Sequence, residues 1–150
     1  MSATPEIVEV SAEHTHALRL AVLRHDTPTK DVVFAEDTWP GTKHLVARID
    51  EHVVATSTWV PRTYEPLSAL RGMQLRGMAT AHHLQGSGLG GLLLEEGCRA
   101  AAADGFELVW ARARDAALAF YLRNGFTVDG DGFIDGPTQL PHHVVVRRLS

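Results

Sequence analysis

Cysteine is nearly absent: Cys98 is the only one in 150 residues. That excludes an internal disulfide framework and fits a reducing compartment. Cys98 falls mid-helix by pattern, among Leu94, Ala101 and Ala102, with no activating base marked beside it. It reads as a buried structural thiol and not as a nucleophile. Long apolar runs are missing too, so nothing here spans a membrane as a helix. Residues 1–5 have neither the basic start nor the apolar core of a secretory leader, and the expectation is a cytoplasmic protein without membrane contact. Positive charge is in deficit, with 14 basic against 18 acidic residues and a formal net charge of −4. A nucleic acid as main partner would want the opposite balance. Lysine is scarce, and arginine, which replaces it, suits bidentate phosphate contacts; a G- and C-rich genome would leave the same bias. Repeats, linkers and low-complexity tracts are lacking. With 45% hydrophobic and 21% charged residues, the chain is expected to form one domain over residues 1–150.

The patterns that remain are mixed. Residues 7–10 alternate as a short strand. Ser11, Glu13 and His14 start a helix whose apolar face is Ala17, Leu18, Ala21, Val22 and Leu23, broken by Thr27, Pro28 and Thr29. Residues 30–41 are irregular, acidic and aromatic. Residues 44–49 and 53–59 are strands joined at Asp50 and Glu51 as a hairpin. A connector leads to a strand over 74–80, a helix over 89–103, a strand over 107–112 and a helix over 116–123 closed by Asn124 and Gly125. Residues 126–128 and 144–146 make the last strands, with a glycine- and proline-rich loop between them. This order is α/β with a mixed sheet.

Gln85, Gly86, Ser87, Gly88, Leu89, Gly90 and Gly91 stand in succession between a strand and a helix. Glycines admit close backbone approach and positive φ. A helix beginning there aims unsatisfied N–H groups and the positive end of its dipole at an anion, most simply a pyrophosphate. Gly86, Gly88 and Gly91 satisfy G-x-G-x-x-G, with Glu107 roughly 20 residues on, as a dinucleotide fingerprint requires. The context argues against that reading, because Ala81, His82, His83 and Leu84 separate the glycines from the strand. Glu107 also opens a strand where it should close one.

Gln85, Gly88 and Gly90 also fit Gln/Arg-x-x-Gly-x-Gly/Ala, and some thirty residues later come Phe120, Tyr121, Leu122, Arg123, Asn124, Gly125 and Phe126. In this order and spacing the chain resembles the GCN5-related N-acetyltransferase (GNAT) superfamily, most strongly over residues 74–126. The resemblance implies a mostly antiparallel sheet flanked by helices. Its fourth and fifth strands splay so that the pantetheine arm of coenzyme A lies in the gap, and the arm's amides satisfy the parted edges. It implies acetyl-coenzyme A-dependent transfer to a primary amine, small or peptidic, by direct attack in a ternary complex. A non-catalytic acyl-coenzyme A sensor is the alternative, and a nicotinamide oxidoreductase a weaker one. The resemblance also suggests a homodimer.

By the same resemblance, Met78 offers a backbone N–H to the acetyl carbonyl, and Tyr121 protonates the leaving thiolate. The coenzyme is expected against Met78, Ala79, Thr80, Gln85, Gly86, Ser87, Gly88, Leu89, Gly90, Gly91, Arg114 and Tyr121. Here the chain departs from the family pattern: Arg114 stands where many members have asparagine, His82 where many have proline, and the fourth strand has no glutamate base. Water, Glu36, His142 or His143 are left as bases. The acceptor side is expected to include Glu36, Trp39, Arg76, His142 and His143, in an acidic groove lined also by Phe34 and Asp37 that suits a cationic amine. The paired histidines, His82 with His83 and His142 with His143, point opposite ways on a strand, and no metal site is expected.

Overall fold

The computed structural model describes residues 4–149. The seven strands are β1 (Glu6–Val10), β2 (Lys43–Ile49), β3 (His52–Pro61), β4 (Gly72–Thr80), β5 (Leu108–Arg114), β6 (Thr127–Ile134) and β7 (Pro141–Arg148). They form one sheet in the order β1-β2-β3-β4-β5-β7-β6. Every pairing is antiparallel except β4 with β5. Asp50 and Glu51 turn β2 into β3 with φ of 50° and 67°, the paired left-handed conformation that suits a two-residue hairpin.

Helix α1 (His16–Leu18) is a single α turn, entered through a 3-10 turn at Ala12–Thr15 and continued by a π turn at Arg19–Leu23. Helix α2 (Leu89–Ala103) buries Leu89, Leu93, Leu94, Gly97, Cys98 and Ala101, the positions of one helical face. That face meets β3 so closely that a Cβ on Gly97 would stand 1.8 Å from the Trp59 ring. Helix α3 (Leu118–Arg123) follows a 3-10 turn at Asp115–Ala117. It adds Tyr121 to a core with Trp59, Leu75, Leu94, Phe126 and Val145. Among the described residues no helix is long and apolar enough to cross a membrane.

The last hairpin is longer than the alternation suggested. Residues assigned to a loop, Gly130 to Ile134 and Pro141 to His143, belong to β6 and β7. Strand β6 is an edge, exposed along almost its whole length, so burial never imposes the two-residue rhythm. A bulge between Asp129 and Phe133, with Gly130 at φ 83°, obscures it further.

Strand β4 sets the site. It pairs with β5 only at Gly72, Met73 and Gln74, opposite Leu108, Val109 and Trp110. Beyond Gln74 the two strands part. Against β3 the register slips by one: Thr56 faces Ala79 while Thr58 faces Arg76. Gly77 and Met78 therefore share Ser57, and Gly77 takes φ 60°. A bulge of this kind bends its strand, here in the stretch where β4 no longer pairs with β5. A Cβ on Gly77 would press within 3.1 Å of the Phe34 ring and 3.2 Å of Arg19 Nε.

Candidate active site

The glycine-rich loop closes on the opening between β4 and β5. Gly86 and Gly88 have φ of 84° and 87°, and Gly88 caps α2 in the left-handed conformation. Nothing lies within 4 Å of a Cβ built on either residue, so the loop presents bare backbone to open space. Ser87 N–H donates to the Leu84 carbonyl and Gln85 N–H to the His82 carbonyl. The amides of Gly86, Gly88, Gly90 and Gly91 are left as the cradle, the last two in the partnerless first turn of α2. Gln85 thus contributes its side chain instead: Nε2 donates to the Thr80 carbonyl at 3.1 Å.

A cavity of about 710 Å³ runs from this loop into the β4–β5 gap. Met78, Ala79, Thr80, Gln85, Gly86, Gly88, Gly90, Gly91, Arg114 and Tyr121 line it. Ser87 and Leu89 do not: Ser87 Oγ turns back to the Leu84 carbonyl, and Leu89 packs into the core with Ala47, Val54 and Leu93. Val22, Leu23, Arg123 and Asn124 also line the cavity, although the sequence marks them only as helix-face, motif or capping residues and not as coenzyme contacts. Ala81 N–H donates to Val54 across the β3 edge, so the two-residue alternation turns the backbone groups of Met78 and Thr80 away from β3, into the gap. Positive-φ glycines, free amides and parted strand edges together fit the diphosphate and the amide-bearing arm of an acyl-coenzyme A.

Arg114 is engaged by protein groups. Its guanidinium donates to the Leu23 carbonyl and stands 3.7 Å from Asp26. His82 Nε2 lies 3.1 Å from the Ala21 carbonyl, which can only accept, so the ring donates. Both side chains clasp the C-terminal end of the π turn, whose carbonyls have no helical partner. The π turn is thereby held over the cavity.

A second cavity of about 320 Å³ opens on the other side of the gap. The two cavities share Leu23, Met78, Arg114, Ala117 and Tyr121. Tyr121 is 6% exposed, edge-on to Phe120 and Phe126. Burial alone raises its phenol above the ordinary value, so the proton stays on oxygen. Glu36, Arg76 and His142 line the second cavity, whereas Trp39 and His143 line neither. The Trp39 ring lies under Arg62, and His143 Nδ1 stands 2.6 Å from Asp115 Oδ1. His142 Nδ1 lies 2.9 Å from the Leu140 carbonyl. That carbonyl also only accepts, which puts the ring hydrogen on Nδ1 and leaves the Nε2 lone pair available.

The expected acidic groove is not acidic. Glu36 is ion-paired to Arg76. Asp37 is 8% exposed and turned inward, its oxygens 2.8 and 2.9 Å from Arg19. Arginines outnumber carboxylates on the groove wall, and Asp135, the second carboxylate there, is bound to Arg112 at 2.9 Å. Asp37 serves the buried Arg19, which would otherwise be stranded, and Glu36 serves the half-buried Arg76.

Comparison with known proteins agrees with this geometry. Residues 40–128 match the sequence model of the acetyltransferase (GNAT) domain. The chain is 26% identical over 144 residues to YitI, an uncharacterised N-acetyltransferase of Bacillus subtilis strain 168, covering 96% of each. The fold is shared with ElaA of Escherichia coli (TM-score 0.78, 16% identity, 96% of this chain and 99% of that one). It is also shared with an acyl-CoA N-acyltransferase of Pseudomonas aeruginosa (TM-score 0.76, 19% identity, 96% and 99%). With strands splayed over a glycine cradle and a family match across more than half its length, the chain belongs to the GNAT acetyltransferases, which draw on an acyl-coenzyme A.

Proposed function

We propose that the protein transfers an acetyl group from acetyl-coenzyme A to a primary amine by direct attack in a ternary complex. The observation that carries this reading is the meeting of two cavities at Met78 and Tyr121. Acetyl-coenzyme A supplies the acetyl group already activated as a thioester. The cradle of Gly86, Gly88, Gly90 and Gly91 holds the diphosphate. The backbone of Met78 and Thr80 aligns the arm, and Met78 N–H polarises the carbonyl. His142 Nε2 takes the proton released as the nitrogen–carbon bond forms. Tyr121 Oη delivers a proton to sulfur as the carbon–sulfur bond breaks. Cys98 is no nucleophile: burial pushes its thiol up to about 11, and it lines neither cavity. The same reading takes residues 1–150 as one cytoplasmic domain that pairs as a homodimer.

Steady thiol release from acetyl-coenzyme A with a panel of amines tests the reading, and binding without release would leave only a sensor. His142→Gln is expected to slow release about 100-fold with coenzyme affinity unchanged; wild-type turnover would remove His142. Gly88→Glu puts a carboxylate at the cradle and an L side chain at φ 87°. Calorimetry is expected to show coenzyme affinity falling at least about tenfold, the scale of one lost charged contact. An unaltered affinity would mean that the diphosphate binds elsewhere.

A further inference from the structure

We infer that the acceptor amine is a small molecule that also carries an anionic group, a carboxylate or a phosphate, engaged by Arg24. This rests on the amine-transfer reading and names the class of amine. Arg24, Arg62, Arg76, Arg112 and Arg114 all line the 320 Å³ cavity, against two carboxylates, Glu36 and Asp135. Glu36 answers Arg76, and Asp135 answers Arg112. Asp26 faces Arg114 from outside the cavity wall at 3.7 Å. Among the described residues Arg24 and Arg62 meet no carboxylate. Arg24 donates Nε to the Asp31 carbonyl and Nη1 to the Leu23 carbonyl, and its Nη2 keeps both N–H groups. Arg62 donates Nη1 to the Gln74 side-chain oxygen.

Arg24 is half-buried and meets no carboxylate, which costs free energy that an anion would relieve, and the exposed Arg62 adds to the positive field of the cavity. The crowding registers on the groups themselves. Burial first, and then the charge of Arg114, lowers Arg24 below the usual guanidinium range, against a weaker opposing pull from Asp135 and Asp31. Burial, followed by Arg19, Arg24 and Arg112, does the same to Arg76. Coenzyme phosphates do not account for the surplus, because Arg24 and Arg62 are absent from the lining of the cavity that the glycine loop serves.

The arrangement also suits the chemistry. An amine must be uncharged to attack, and a positive groove lowers the pKa of a bound ammonium. A purely cationic substrate would be repelled by the same field. An anionic substituent supplies the attraction that carries the amine in, through charge-assisted and, for carboxylate or phosphate, bidentate contacts.

The test is calorimetry on the protein saturated with coenzyme A, so that nothing turns over. The probes are the common amino acids against their α-carboxamides, ethanolamine phosphate against ethanolamine, and spermidine. At least one anionic amine is expected to bind tenfold or more tightly than its neutral counterpart and than spermidine. The two anionic arms distinguish carboxylate from phosphate. Arg24→Gln is expected to abolish the preference while coenzyme affinity holds. Equal or tighter binding of carboxamides, ethanolamine or spermidine overturns the inference, as does no binding by any anionic probe. An anionic preference without thiol release would sink acetyl transfer and leave this site standing. Rapid release with amines lacking an anion would do the reverse.

Discussion

Tyr121→Phe is expected to lower the rate of thiol release by a factor between about 10² and 10⁴, with the affinity for coenzyme A unchanged. The substitution removes one oxygen and keeps the ring. The ring fills the core between Phe120 and Phe126, so packing and stability should hardly move. Only burial shifts the phenol, and no protein hydrogen bond tunes it. The hydroxyl is therefore kept protonated and uncommitted where the two cavities meet. A departing thiolate in the same dry environment is raised in pKa as well, which narrows the gap that proton transfer must cross. Stopped-flow or steady-state thiol detection, with calorimetry of coenzyme A alongside, separates chemistry from binding. Unchanged release in the phenylalanine protein would take Tyr121 out of the reaction.

Asp37→Ala is expected to cost about 3–5 kcal/mol, the penalty for leaving a buried charge without its partner. Arg19 is wholly buried. Its Nη1 donates to Asp37 Oδ2 and the Val32 carbonyl, and its Nη2 to Asp37 Oδ1 and Thr58 Oγ1. Its Cζ lies 3.8 Å from the centre of the Phe34 ring. With stabilities of roughly 5–15 kcal/mol for whole domains, such a loss brings the fold close to failure. Urea unfolding measures it, and the double variant Arg19→Met, Asp37→Leu should recover much of the loss by removing both charges. A single-variant loss under about 1 kcal/mol would show that the pair is dispensable. The pH dependence has a definite sign. Burial alone would raise the Asp37 carboxyl, but hydrogen bonds from Arg19 and the Phe34 N–H outweigh it and hold the group below the ordinary carboxylate range. The stabilisation is thus complete above the unfolded value of about 3.9. It disappears as the pH drops through the lower folded value.

Signals confined to a few neighbouring residues were readable. The apolar face of Leu89, Leu93, Leu94 and Cys98 marks α2, and Asp50 with Glu51 marks the hairpin. The glycines of residues 86–91 announce a helix that starts on bare backbone. What arises from distant segments was not readable. Arg19 sits on a helical face that otherwise reads as apolar, and nothing in sequence ties it to an aspartate 18 positions on. The charge of the groove comes from Arg24, Arg62, Arg76 and Arg112, each supplied by a different part of the chain. Counting acids in residues 30–41 therefore gave the wrong sign. The π turn at Arg19–Leu23 is also invisible in periodicity, because it leaves the same apolar residues in nearly the same order.

The three-rung pairing of β4 with β5 ties two properties together. Peptide groups left idle along the split make the empty enzyme weaker than a fully zipped sheet of the same size. A guest that occupies them repairs the sheet as it docks. Mutations that seal the cleft would harden the protein and silence it in the same stroke.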